Sequence, residues 1–335
     1  MKQIFKLVTT ASAALLVACG GGGGGQTAAT PASPASPAVP LSTAATLVTS
    51  VPPASYTGQA AIASAVWNAE RSQCGFGLLS QNPALDGAAA AHASYSVISG
   101  TVAHEEISGQ PGFTGETPAS RIAVKGYAGT GSTVSEVMTG VNGAILSSAG
   151  NYAIRSLLSA PYHLRAMVDS YRDVGMAFGN GSVGSPFVGD LGYQTAASPQ
   201  LIAGSDVKTY PCDGSAGVFP ELRSETPNPV PGRDLAINPI GTPVLVRVRD
   251  GNTLVVKTTS MVQLSNGAAI PLRPTVTAAN DPNRVNGIGY IRANEAYFAP
   301  DSALAPNSQY QVTVTGTNNG VDFSRTFIFT TGIRG

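Results

Sequence analysis

From Ala60 onward the spacing of hydrophobic positions first suits helices and later suits strands. Ile62, Val66 and Trp67, followed by Glu70 and Arg71, predict a helix that stops at the glycines between Gly75 and Gly77. Asn82-Pro83 opens a second helix, which runs through Ala88 to about Ile98 with His92 and Tyr95 three apart on one side. Thr117-Pro118 starts a third helix and Asn151 to Leu158 form a further one, while Val134 to Gly140 read as a strand or a short helix. Ala160-Pro161-Tyr162 is a turn that opens a helix at Leu164-Arg165. Asp173 to Phe178 and Phe187 to Tyr193 are short apolar runs separated by Gly, Asn and Ser, the pattern of a hairpin. Helices followed by strands predict an α+β domain over residues 56–219.

After Cys212 the helical texture disappears. Pro220, Pro227, Pro229 and Pro231 mark residues 220–233 as an interdomain linker. Beyond it, Val244 to Arg249, Thr253 to Thr259, Tyr310 to Thr315 and Ser324 to Thr331 alternate every second residue. Asp250-Gly251-Asn252 and Asn318-Asn319-Gly320 supply turns, so residues 234–335 predict an all-β sandwich.

Composition narrows the function. Charged residues make up 11% of the 335, with 19 basic against 19 acidic, where an average soluble protein has roughly 25% charged. Solubility then rests on Ser, Thr, Asn and Gly. A net charge of zero argues against a nucleic-acid partner, whose affinity comes mainly from phosphate neutralisation.

The N-terminus sets the compartment. Lys2 and Lys6 precede an apolar run from Leu7 to Val17 that is far shorter than the roughly 20 residues of a membrane span, which is the layout of an export signal. Leu16-Val17-Ala18-Cys19 resembles the lipobox of bacterial lipoproteins. The resemblance implies cleavage of a signal peptide over residues 1–18, a lipid on Cys19 that anchors the chain to the membrane and, with Gly20 in the next position, export to the outer membrane. Residues 19–55 contain an unbroken glycine run and then an Ala/Thr/Ser/Pro segment without charge, which predicts a flexible tether. With Cys19 acylated in an oxidising compartment, Cys74 and Cys212 remain to form a disulfide.

Gly179-Asn180-Gly181-Ser182-Val183-Gly184 matches a dinucleotide-binding pattern literally, but no helix signal follows it, so it reads as the hairpin turn. There is no Gly-x-Ser-x-Gly elbow, no Cys-x-x-Cys pair and no pair of histidines four apart. Three histidines remain. His92, inside an Ala-rich helix, reads as a packed histidine hydrogen-bonded to a neighbour. His104 follows a helix end and His163 follows a turn, both loop-like positions that present a side chain to a cleft more easily. Glu136 is the only acid between Glu116 and His163.

Trp67-Asn68-Ala69-Glu70-Arg71 with Cys74-Gly75, then Asn82-Pro83-Ala84-Leu85, Ala91-His92-Ala93, Ala103-His104, Thr117-Pro118 with Arg121, Lys125-Gly126-Tyr127, Ser135-Glu136-Val137, Pro161-Tyr162-His163-Leu164-Arg165 and Asp173-Val174-Gly175 form an ordered series. Together they resemble a bacterial member of the CAP superfamily, the cysteine-rich secretory proteins, antigens and pathogenesis-related proteins. The resemblance implies an α-β-α sandwich with a central cleft where two histidines and two acids hold a divalent metal. His104, Glu136 and His163 take three of those places and are the candidate ligands for zinc or another divalent cation. The usual Gly-Glu-Asn is here Ser135-Glu136-Val137, and no acid stands between Glu136 and His163 as in the eukaryotic relatives.

Two functions follow from the resemblance, beside the bland reading of a structural envelope lipoprotein with a vestigial cleft. One is a binding module whose cleft holds a lipid, peptide or glycan of the cell envelope. The other is a metal-assisted hydrolase acting on envelope peptide, lipid or murein, with His104 or His163 as general base and Glu136 orienting it. No residue takes an outright catalytic role, and these three are the candidates. In the C-terminal part, Leu304 to Val312 resembles the Leu-x-Pro-x-Thr-x-Tyr-x-Val segment of fibronectin type III and bacterial immunoglobulin-like domains. That resemblance implies an immunoglobulin-like sandwich in which Tyr310 is a corner tyrosine bonded to nearby backbone.

Overall fold

The computed structural model describes residues 43–129, 133–142, 147–181 and 184–334. The expected signal peptide, Cys19 with its lipid and the tether up to residue 42 lie outside the described residues. The described end of that tether runs extended along the body. Thr46 N–H donates to the Leu201 carbonyl and Leu78 N–H to the Val48 carbonyl, both at 2.8 Å. No described helix is long and apolar enough to cross a membrane.

The first part contains α1 (Gly58–Gln73), β1 (Ser80–Gln81), α2 (Pro83–Ser99), α3 (Pro118–Val124), β2 (Val134–Asn142), α4 (Ala149–Leu158), α5 (Pro161–Met167), β3 (Asp173–Phe178) and β4 (Gly184–Gly192). Local chemistry sets the helix starts. The Asn82 side chain accepts from the N–H groups of Ala84 and Leu85 with Pro83 in the first turn, and Gly100 at φ 68° ends the helix. Thr117 and Ser120 close a reciprocal capping box on α3. α5 begins at Pro161, earlier than the sequence suggests, because proline's fixed φ suits the first helical position. His163 therefore sits in a helical first turn and not in a loop.

The strands order as β1-β3-β4-β2, antiparallel except for β1 with β3. β3 and β4 are the expected hairpin. Side chains alternate across this sheet. Met138 and Val188 meet Ala89 and Ala93 of α2 on one face. Val137, Val141, Phe187 and Leu191 join Trp67, Ile154 and Leu157 of α1 and α4 on the other. This is the three-layer α-β-α sandwich. α2 approaches β3 so closely that a Cβ on Gly175 would overlap the backbone of Leu85 and Asp86. Trp67 is fully buried and donates its indole N–H to the Met167 carbonyl at 3.0 Å. The expected disulfide joins Cys74 to Cys212.

The second part is a β-sandwich built from β5 (Val207–Tyr210), β6 (Glu221–Leu222), β7 (Ile240–Gly241), β8 (Val244–Val248), β9 (Leu254–Gln263), β10 (Val276–Thr277), β11 (Glu295–Phe298), β12 (Gln309–Asn318) and β13 (Val321–Thr330). One sheet orders β10-β11-β8-β5 and the facing sheet β13-β12-β9, with β6 and β7 paired apart. Val244, Val246, Phe298, Val312, Val314 and Phe329 fill the space between them. Asn319 and Gly320, both at positive φ, turn β12 into β13. The Asp250-Gly251 turn behaves differently: β8 and β9 part to opposite sheets, because β8 is already flanked by β5 and β11. The Tyr310 hydroxyl accepts from the Ala305 N–H at 2.8 Å, as a corner tyrosine does.

The two parts share packing and charge. Leu245, Ile291 and Tyr297 belong to the same apolar cluster as Trp67. The Pro-rich stretch packs through Leu222 and Val230 against Ala160 and Ala299.

Candidate functional site

β2 is an edge strand, and beside its exposed edge lies a cleft of about 420 Å³. Its walls come from Val102 to Glu105, from Met138 and Thr139 of β2, from Leu157 and His163, and from Ser224 to Thr226. Burial has left both polar and apolar groups on its surface.

The wall that carries His104 is held by Glu106. Its carboxylate accepts from His92 Nδ1 at 2.8 Å, from the Thr114 N–H and hydroxyl, and from the Gly115 N–H, which folds the loop after α2 back on itself. Burial pushes this carboxyl upward, but the hydrogen bonds from Thr114 and His92 together with the Arg121 charge outweigh it and hold the group below the usual carboxylate range. His92 is fully buried, and its Nε2 faces the Ala103 carbonyl at 2.9 Å. It is the packed helix histidine that the sequence suggests, and through Ala103 it also positions the residue before His104.

Glu136 lies on the α2-facing side of β2 and is 7% exposed. Its Oε1 is 2.8 Å from Nδ1 of His104, and its Oε2 accepts from Arg121 at 2.7 Å. Arg121 also donates to the His104 and Gly115 carbonyls. Burial raises the Glu136 carboxyl, but the His104 hydrogen bond and the Arg121 charge prevail and keep it ionised below its ordinary value. A carboxylate only accepts, so His104 donates from Nδ1, and in its neutral form the lone pair is on Nε2.

His163 is built the same way by a different acid. Oε1 of Glu225 accepts from the Tyr162 N–H at 2.8 Å, from the His163 N–H at 3.0 Å and from His163 Nδ1 at 3.0 Å. The His104 and His163 rings lie 6.0 Å apart, centroid to centroid, and are tilted by 26°. Of the three residues expected to act together, the fold joins His104 to Glu136 directly and sets His163 across from them. Among the described residues no three His, Cys, Asp or Glu side chains form a group that could hold a metal ion. Glu136 backs His104 and does not line the cleft, and on both rings the nitrogen not engaged by an acid is Nε2.

This stretch of chain matches the cysteine-rich secretory protein family over residues 65–191. Residues 65–191 are a CAP domain. No curated protein matches the chain. The CAP domain supplies His104, Glu136 and His163, whereas Glu225 lies beyond the match. Glu225 escapes sequence reading because it sits among prolines that read as linker. Its only signal is that it is an acid in a chain with few of them.

Asp190 is a second group that sequence reading misses. It faces Glu136 across the β2–β4 pair, is fully buried, and neither oxygen has a hydrogen-bond partner. Burial, and then the Glu136 charge, push its carboxyl well above the usual range. A native value above the unfolded one means that Asp190 contributes stability below the unfolded range of about 3.9 and loses it as pH rises towards the native value. Asp190→Asn is therefore expected to match the wild type below about pH 4 and to gain stability over it as pH rises. Each unit of difference is worth about 1.4 kcal/mol. Thermal melts of both proteins across the acid and neutral range check this, and parallel curves would reject it.

Proposed function

We propose that the CAP cleft is a binding site for a divalent cation, zinc by preference, together with a small envelope ligand: a lipid, a peptide or a glycan. The observation that carries the reading is the pair of facing imidazoles, His104 and His163, whose Nδ1 atoms each meet an acid side chain. Carboxylate backing fixes the tautomer and raises the basicity of the other nitrogen, which is how protein histidines are prepared for a cation. Apolar Val102, Met138 and Leu157 beside them suit a ligand with a hydrocarbon part. In this reading the chain is an exported lipoprotein, anchored through Cys19 in the outer membrane. The secretory character of the CAP family agrees with export.

A metal-assisted hydrolase is the second reading, since a bound cation polarises a scissile group and lowers the pKa of water. His163 and His104, each with a carboxylate behind it, have the arrangement of a general base. Binding is favoured because among the described residues no hydroxyl or thiol hydrogen-bonds either ring.

Calorimetric titration of zinc tests the site. The wild type is expected to release heat, His104→Ala and His163→Ala to lose it, and Glu136→Ala to bind about 10- to 100-fold more weakly. Protons compete for the same nitrogens, so affinity should fall as pH drops through the imidazole range. Equal heats in all four proteins would reject the metal site. Turnover of envelope peptides, phospholipids or murein fragments that requires zinc would move the assignment to the hydrolase.

A further inference from the structure

The two histidines of the cleft are backed by acids in different electrical surroundings. On one wall Glu136 is balanced by Arg121, whose guanidinium nitrogen is 2.7 Å from Oε2, so the His104 side is already neutralised. On the other wall Glu225 has no Lys or Arg within ion-pair distance among the described residues, and His163 is its sole ion-pair partner. The Glu225 side chain is fully buried. Its Oε1 gathers three N–H donors of α5 and His163, while its Oε2 is buried without a hydrogen-bond partner. Burying a carboxylate without a counter-charge is costly. Among the described residues His163 is the ionisable side chain placed to offset that cost.

We propose that Glu225 is the positioning residue of the cleft's second histidine: it holds His163 in the Nδ1–H tautomer with Nε2 presented to the cleft, and so supplies from the Pro-rich segment the second acid that the CAP domain lacks. This rests on the cleft being a cation and ligand site. Oε1 already accepts two backbone N–H groups, which leaves any proton on the acid to Oε2, so Oε1 accepts from Nδ1 and the ring donates. Because Oε1 also joins the Tyr162 and His163 backbone N–H groups, ring and helix start are fixed by one atom. The Pro-rich stretch is then part of the cleft, and the site requires the chain beyond the CAP domain.

The test uses the full chain labelled with ¹⁵N. Long-range ¹H–¹⁵N correlation at pH about 8, above the imidazole range, reads which nitrogen of His163 is protonated. The wild type is expected to show Nδ1–H for His163. Glu225→Ala is expected to move it to the Nε2–H tautomer preferred by a free imidazole, and Glu225→Gln, whose side-chain oxygen still accepts, to restore Nδ1–H. Zinc affinity should fall about 10- to 100-fold in Glu225→Ala, with the His104 tautomer unchanged in every variant. A wild-type His163 in the Nε2–H form overturns the proposal without any variant, which covers the case in which Glu225→Ala does not fold. A folded Glu225→Ala that keeps Nδ1–H and wild-type zinc affinity overturns it as well. Zinc heats that are absent in a wild type with His163 as Nδ1–H would instead reject the metal reading and leave the positioning role standing.

Discussion

Arg247→Ala is expected to destabilise the whole described unit by ~3 to 5 kcal/mol, the cost of breaking a buried ion network from one side. Arg247 lies on β8 of the sandwich and is 3% exposed. Its guanidinium is 2.6 Å from Asp169 of the first part, 2.5 Å from Asp250 and 2.5 Å from Glu295. Asp169 also takes Arg165 and Arg292, and Glu295 takes Arg165, so the cluster ties the end of α5 to the sandwich. Removing the central cation leaves Asp169 and Glu295, both nearly inaccessible, short of counter-charge. Burial pushes the Asp169 carboxyl up, but Arg247, Arg165 and Arg292 hold it far below its ordinary range. A depressed native value contributes stability above the unfolded carboxyl range, and that contribution is lost as pH falls through the native value. The difference between wild type and variant should therefore shrink in strong acid. Trp67, the single tryptophan, reports from the core of the first part. Its fluorescence during urea unfolding should show a lower midpoint although the substitution is in the sandwich. A shift worth less than about 1 kcal/mol would mean that the network couples the two parts weakly.

The double variant Cys74→Ala/Cys212→Ala is expected to lose a similar or larger amount. The bridge closes a loop with a sequence separation of 138, for which the chain-entropy relation gives about 5 kcal/mol, within a usual range of ~2 to 5 for native bridges. Cys74 is 4% exposed and packs in the cluster around Trp67. The bond thus joins the end of α1 to the stretch that follows β5, the strand paired with β8. Without it the unfolded chain gains freedom, and the melting temperature should fall on the order of 10 °C. Differential scanning calorimetry of oxidised wild type, reduced wild type and the double variant checks this. Equal melting temperatures for all three would reject it, as would two alkylated cysteines in the unreduced wild type.

How far this protein can be read without its fold depends on the range over which each signal acts. Asn82-Pro83, Thr117-Pro118 and Asn319-Gly320 fix a helix start or a turn through bonds spanning two or three residues, so they stand out in the chain. Alternation along β12 marks its buried face for the same reason: Tyr310, Val312 and Val314 are buried while Thr313 is partly open. The order of short motifs around Trp67, His104, Glu136 and Asp173 carries the CAP architecture, and the compartment argument for Cys74 and Cys212 carries the bridge. The Asp250-Gly251 turn shows where local reading stops, since a turn says that the chain reverses but not whether its two strands pair.

The amino-acid sequence alone thus indicated the helices, the β3–β4 hairpin and the longer strands of the sandwich, the α+β and all-β halves, and His104, Glu136 and His163 as candidates, but not the short strands β1, β5, β6, β7, β10 and β11. Only the tertiary structure decided what those residues face. Glu225 lies 62 residues from His163, Asp190 meets Glu136 only through the register of β2 on β4, and Arg247 reaches Asp169 across 78 residues. None of these pairs has a local signature, because a charge buried far along the chain looks in sequence like any solvated surface charge. Its partner is chosen by strand register and the path of the backbone, and both depend on the packing of the whole unit and not on neighbouring residues.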